Sequence, residues 1–344
     1  MHICSLFIFG CILSFQAIAE NSTTTIAFGS CLKQSKPQPV WDALVKLKPD
    51  VFLFIGDNVY ADTNDVKKMK SVYAQLANQP GFQKLKKISP IHATWDDHDY
   101  GENDAGADYE MREQSEQVFL EFFGFPQDST VRNRPGIYHS QHYELSKGTL
   151  QLILLDTRYF RSALVRAETT DECPRVNHAL NTDPEATILG EEQWKWLHQQ
   201  LQTPADVRII VSSIQVIPTE HCFEKWANFP LEREKLLQII QDTQASGVIL
   251  ISGDRHMAEL SRLDDKSIGY PIYELTSSGM NSTSVRAGKG EKNRYRVTVD
   301  NFRVDNFGVI QIDWGKKPVT LNLQIRNAQG GIELEKKIPL NNLS

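Results

Sequence analysis

The chain has 344 residues, 40% of them hydrophobic and 23% charged, an ordinary globular composition. A formal net charge of −6 argues against a nucleic-acid-binding surface, which needs a basic face for phosphate contacts. Beyond the N-terminal segment, no apolar run reaches the roughly 18 residues that a membrane-spanning helix requires.

In chain order, the first feature is an apolar stretch carrying Ile3, Leu6, Phe7, Ile8, Phe9, Ile12, Leu13 and Phe15, then Ala17-Ile18-Ala19 before Glu20. The small-x-small site and the shortness of the run point to a cleaved signal peptide over residues 1–19, not an anchor. That predicts export, to a periplasm or outside the cell, with residues 20–344 as one mature domain. The mature chain then keeps Cys31, Cys173 and Cys222. An odd count in an oxidising compartment suggests one pair and one thiol with another task.

Short apolar runs then alternate with amphipathic segments, the pattern of an α/β domain. Strands are predicted at Thr25–Gly29, Val51–Ile55, Ile91–Trp95, Gln151–Leu155, Val207–Ser212 and Val248–Ser252. Helical spacing appears in Val40, Trp41, Leu44 and Leu47, and again in Val66, Met69, Val72 and Leu76. Further helices are predicted across Tyr109–Phe123, Glu191–Leu201 and Leu231–Thr243. Near the end, Val309–Ile312, the alternating run Val319–Arg326 and Gly331–Leu334 read as an antiparallel meander completing a sheet.

Nearly every predicted buried strand ends in residues that bind metal or phosphate. The first runs into Ser30-Cys31, the second into Gly56-Asp57-Asn58-Val59-Tyr60, and the third into Asp96-Asp97-His98-Asp99. Gln151–Leu155 leads to Asp156-Thr157-Arg158, and Val248–Ser252 leads to Gly253-Asp254-Arg255-His256. Strand carboxyl edges in α/β sheets converge on one crevice, so five such endings would share a pocket. Singly, a Gly-Asp is an ordinary turn and a cysteine a small buried hydrophobe. Together, the carboxylates would repel unless cations neutralised them. Their number, with a thiolate, a phenolate and an imidazole, exceeds what one ion takes and suits two sharing a carboxylate.

This ordered set resembles the alkaline phosphatase D, or PhoD-like, branch of the calcineurin-like metallophosphoesterases. The resemblance runs from Phe28-Gly-Ser-Cys31 to Asn306-Phe-Gly-Val-Ile-Gln-Ile-Asp-Trp314. It implies an α/β fold of two β-sheets flanked by helices (α/β/β/α), with C-terminal antiparallel strands. It implies that Asp57 bridges two metals, that Cys31, Tyr60 and His256 complete an iron site (Fe3+), and that Asp97 and Asp254 hold a second ion, calcium (Ca2+) or another hard divalent cation. Zinc (Zn2+) also suits the thiolate and imidazole ligands. His98 matches the catalytic histidine of the wider superfamily, and Arg158 is a candidate phosphate clamp, with a salt bridge to Asp156 as the competing role. No histidine lies in Ile209–Gln215, where the superfamily has one, and His221 nearby is expected to stand behind the site or on the surface.

The implied activity is metal-dependent hydrolysis of a small-molecule or lipid phosphate ester by a hydroxide activated between two ions, with the chain acting as a monomer. Phosphodiesterase or phospholipase-D-like action is the alternative within the same chemistry, decided by pocket width at residues 100–108 and 161–187. A non-catalytic binding protein on the same fold is the other reading. With Cys31 on a metal, Cys173 and Cys222 remain to form a disulfide, or to persist as two free thiols.

Overall fold

The computed structural model describes residues 22–284 and 288–344; the segment read as a signal peptide lies outside them. The first part of the chain holds β1 (Thr23–Gly29), α1 (Val40–Leu47), β2 (Val51–Ile55), α2 (Val66–Ala77), α3 (Pro80–Lys86), β3 (Ile91–Thr94), α4 (Asp97–Tyr100) and α5 (Arg112–Phe122). The second holds β4 (His139–Leu145), β5 (Gly148–Leu154), α6 (Gly190–Gln202), β6 (Val207–Val211), α7 (Pro230–Asp242), β7 (Val248–Ser252), β8 (Ala258–Leu263) and β9 (Ile272–Ser277). The meander β10 (Asn306–Asp313), β11 (Thr320–Asn327) and β12 (Ile332–Pro339) closes the chain.

These strands form two six-stranded sheets, ordered β12-β11-β10-β1-β2-β3 and β4-β5-β6-β7-β9-β8. In the first, β1, β2 and β3 run parallel, and the meander joins antiparallel through β10, with Ile26 opposite Ile310. In the second, β5, β6, β7 and β9 are parallel between antiparallel edges. The predicted strand endings therefore come from two sheets whose carboxyl ends meet, not from one sheet edge.

Strand β2 shows why the runs are uninterrupted. Val51, Leu53 and Ile55 enter the core between the sheets, while Phe52 and Phe54 face the other way. There the two phenylalanines pack on Trp41 of α1, with ring centroids 6.2 Å away in both cases. A strand covered on both faces has no polar phase. Each such side chain contributes roughly 1.5–3 kcal/mol of burial.

Five of these elements escaped the sequence pattern: α3, α4, β4, β8 and β9. In β9 the buried Glu274 interrupts the apolar run, because its carboxylate accepts the backbone N–H groups of Val216 and Ile217 at 2.9 and 2.5 Å. Cys173 and Cys222 are joined by a disulfide, linking the connections before α6 and α7. Cys31 is the free cysteine among the described residues, and it is buried.

Candidate metal centre

Two glycines let the strand ends approach. Gly56 has φ +105°, and a Cβ there would lie 2.6 Å from Cβ of Asp96. At Gly253 a Cβ would lie 2.4 Å from Oγ of Ser30. Each Gly-Asp turn is thus where two strand ends touch. The residues that follow are bent sharply: Cys31, Asp57, Asp254 and His256 all have φ between 50° and 67°. Non-glycine residues hold this left-handed region at a cost of roughly 1–3 kcal/mol each, a pattern that collects at functional sites.

Around Asp57 the first donor group assembles. Its Oδ2 lies 3.3 Å from Sγ of Cys31 and 3.2 Å from the Tyr60 hydroxyl, which donates to it. Ser278 links the thiol to the last member, with Oγ 3.0 Å from Sγ and 2.7 Å from the accepted N–H of His256. The His256 Nδ1–H donates to the Ser282 carbonyl at 2.5 Å, so Nε2 keeps its lone pair for a metal. The Tyr60 and His256 rings are 6.5 Å apart.

The second group shares Asp57. Ligand atoms of Asp57, Asp97 and His98 lie within 4.8 Å of one another, as do those of Asp96, Asp97 and Asp254. Asp97 Oδ1 accepts the N–H of His98 at 2.9 Å and Oδ2 that of Asp104 at 2.8 Å. The third carboxylate of this run is turned away. Asp99 accepts the backbone N–H groups of Asp96, Asp57 and Asn58 at 2.6, 3.2 and 3.2 Å, pinning the two loops together.

His98 lies over Tyr60, ring centroids 4.2 Å apart, and its Nδ1 is 2.6 Å from Oδ1 of Asp62. Burial opposes its charge, yet Asp57, Asp97 and Asp62 push its pKa up to about 11. Arg158, expected as a phosphate clamp or an Asp156 partner, does neither with its side chain. The guanidinium is fully enclosed, paired with Asp96 and with Glu224 at 2.6 Å. Only its backbone N–H reaches Asp156, at 2.9 Å. His221 is buried and joins neither donor group. The two loops expected to set pocket width enclose a cavity of about 190 Å³, lined by residues such as Asp104, Tyr109, Leu164 and His178. Asp104 is the common wall between this cavity and Asp97.

Without cations the centre is electrostatically frustrated. Burial, then Asp57, raises the Cys31 thiol well above its ordinary pKa, and burial, then Cys31, does the same for Tyr60. Burial and Asp97 raise Asp57, burial and Asp96 raise Asp254, and Asp96 itself is raised to about 7. Asp97 is held low: burial opposes its ionisation, but His98 and Arg158 outweigh it. Two buried oxygens, Oδ1 of Asp57 and Oδ2 of Asp96, have no hydrogen-bond partner. Orphaned carboxylate oxygens beside a thiol, a phenol and a free imidazole nitrogen fit metal cations, which would ionise the donors and satisfy the oxygens.

The sequence pattern did not single out Asp62, Asp96, Ser278, Ser282 or Glu224, which the fold brings into contact with the candidate site residues. Asp96 was visible in the Asp96–Asp99 run, but nothing local separates it from its neighbours. Ser278 directly follows β9, a strand the pattern did not reveal, and Ser282 and Glu224 lie on connections away from any strand end.

A family model described as PhoD-like phosphatase matches residues 26–323. Alkaline phosphatase D of Bacillus subtilis (strain 168) is 23% identical over 293 residues, 74% of this chain. The chain spans about half of that curated relative, 48% of its length. Among solved structures, that of PhoD matches with a TM-score of 0.69 at 16% identity, covering 93% of this chain and 69% of the other. A dimetal phosphatase from Danio rerio matches at 0.52 and 13% identity, covering 92% of this chain and 99% of the other. GAP50, the anchor in the inner membrane complex of Plasmodium, matches at 0.57 and 12%, with 92% and 89% covered. These likenesses establish a shared two-sheet fold. Among the described residues no helix is long and apolar enough to cross a membrane.

Proposed function

The chain belongs to the PhoD-like phosphatase family, and on that footing we propose that it is an exported phosphoric ester hydrolase dependent on two metal cations. The observation that carries this reading is the position of Asp57. One of its oxygens meets Cys31 and Tyr60, while its carboxylate also falls within 4.8 Å of Asp97. A single carboxylate thus joins a soft donor set to a hard one.

Cys31, Tyr60, His256 and Asp57 would hold a transition metal, ferric iron or zinc. Asp57, Asp97 and Asp254, with Asp96 beside them, would hold calcium or another hard divalent cation. Bound there, the ions supply Lewis acidity toward phosphoryl oxygens and lower the pKa of water. His98 has its Nδ1 committed to Asp62, which orients the ring and leaves Nε2–H to protonate a departing alkoxide. Tyr60 supports that ring from below. Export is supported by the A-x-A segment at residues 17–19.

The test is hydrolysis of p-nitrophenyl phosphate, its bis ester and phosphatidylcholine by metal-loaded and chelator-stripped protein. The expected result is turnover of at least one substrate, abolished by stripping and restored by metal. Inactivity of the loaded protein on all three, or activity indifferent to stripping, would overturn the reading. The preferred substrate separates monoesterase from phosphodiesterase action.

A further inference from the structure

We propose that Glu224 is a positioning residue for the carboxylate side of this centre, an inference that rests on the metal-dependent reading above. Glu224 lies on the long connection between β6 and α7, two residues after the disulfide-bonded Cys222. Its side chain is 1% exposed and sits between two buried guanidiniums. Oε2 is 2.6 Å from Nη1 of Arg158, and Oε1 is 2.8 Å from Nε of Arg161.

Each arginine passes the constraint to a different aspartate. Arg158 turns Nε, at 2.5 Å, and Nη2 onto Oδ1 of Asp96, and Ser213 donates to the same oxygen at 2.7 Å. One oxygen of Asp96 is therefore saturated, and the buried Oδ2 is the one left open. Arg161 donates to the Asp104 carbonyl, and the Asp104 N–H donates to Asp97 Oδ2 at 2.8 Å. Glu224 so governs which edge Asp96 offers and how Asp97 is held, while the disulfide anchors its own segment. Two positive and two negative charges balance in the dark. With Glu224 neutral, Arg161 would lose its carboxylate partner and Arg158 would keep only Asp96, so an unmatched positive charge would sit beside a cation site.

The experiment titrates Mn2+ into chelator-stripped protein, following free Mn2+ by electron paramagnetic resonance, with kcat and KM for p-nitrophenyl phosphate alongside. Glu224→Gln should weaken Mn2+ binding about 10–100-fold, the usual cost of losing a partner that orients metal ligands. It should lower kcat with little change in KM. Wild-type Mn2+ affinity in a folded Glu224→Gln protein would overturn the proposal. If that variant does not fold by circular dichroism, Glu224→Asp decides. It keeps the charge one methylene short and should lose about threefold or more in Mn2+ affinity; unchanged affinity overturns the inference. A wild type that binds Mn2+ but hydrolyses nothing defeats the proposed function instead, and the Mn2+ titrations still judge Glu224.

Discussion

Replacing Asp57 by Asn removes the charge that both donor groups share, and its effect on stability should change sign with metal. In the stripped protein, Asp57 and Asp97 offer oxygens within 4.8 Å of each other. Unit charges at that distance repel by about 3.5 kcal/mol at an effective dielectric constant of about 20. The amide still accepts the Tyr60 hydroxyl through its oxygen, while the attraction to protonated His98, screened where that ring meets solvent, is lost and offsets about 1–2 kcal/mol of the gain. Asp57→Asn should therefore stabilise the stripped fold by roughly 1–3 kcal/mol. The pH dependence has a definite sign. Asp57 has a pKa raised above its unfolded value by burial and Asp97. Its contribution is thus fully favourable below about pH 4 and is lost as pH rises toward the folded value. Asparagine lacks that slope. With Mn2+ at about 100 times its dissociation constant, the wild type gains about 2.7 kcal/mol per occupied site, and the variant gains much less. Urea unfolding at pH 6 and pH 8, in chelator and in Mn2+, measures all four terms. A variant less stable than wild type in chelator at pH 8 would refute the repulsion argument.

His98→Ala should leave metal content near wild type and lower kcat by about 10²–10⁴, the range for a lost proton donor; loss of metal together with activity would make His98 a ligand. The purified protein should contain about one iron per chain and absorb in the visible, because phenolate and thiolate donate charge to ferric iron. Tyr60→Phe should shift or abolish that band, and a colourless, fully active zinc protein would refute the iron assignment. Acid should destabilise the fold through His92, whose pKa is lowered to about 3 by burial and His139. The unfolded chain takes up this proton near pH 6.5 and the folded chain does not, so stability falls as pH drops from there, by about 1–2 kcal/mol at pH 5. His92→Gln, which keeps a partner for the Tyr143 hydroxyl, should flatten the fall in urea midpoint between pH 7.5 and 5; an unchanged fall would refute it.

Local pattern carried the strands and their endings. β2 and β7 occupy the residues predicted for them, because a strand buried on both faces is apolar at every step and stops where polar chemistry begins. The Gly-Asp pairs at 56–57 and 253–254 mark the same stops. Pattern also identified the half-buried alternation of β11. It could not identify β9, where Glu274 is tolerated only because Val216 and Ile217, from another part of the chain, supply donors. Nor could it distinguish Asp96, Asp97 and Asp99, which are equivalent neighbours in sequence. Tertiary structure alone turns Asp99 onto backbone N–H groups, Asp97 toward Asp57, and Asp96 onto Arg158. The same holds for Arg158, legible as a charge near the site but assigned to Asp96 and Glu224 only by the fold. Side-chain alternation is a property of neighbours two residues apart. The partner of a buried charge is chosen by whichever opposite charge the folded chain brings within about 4 Å, and no local pattern encodes that choice.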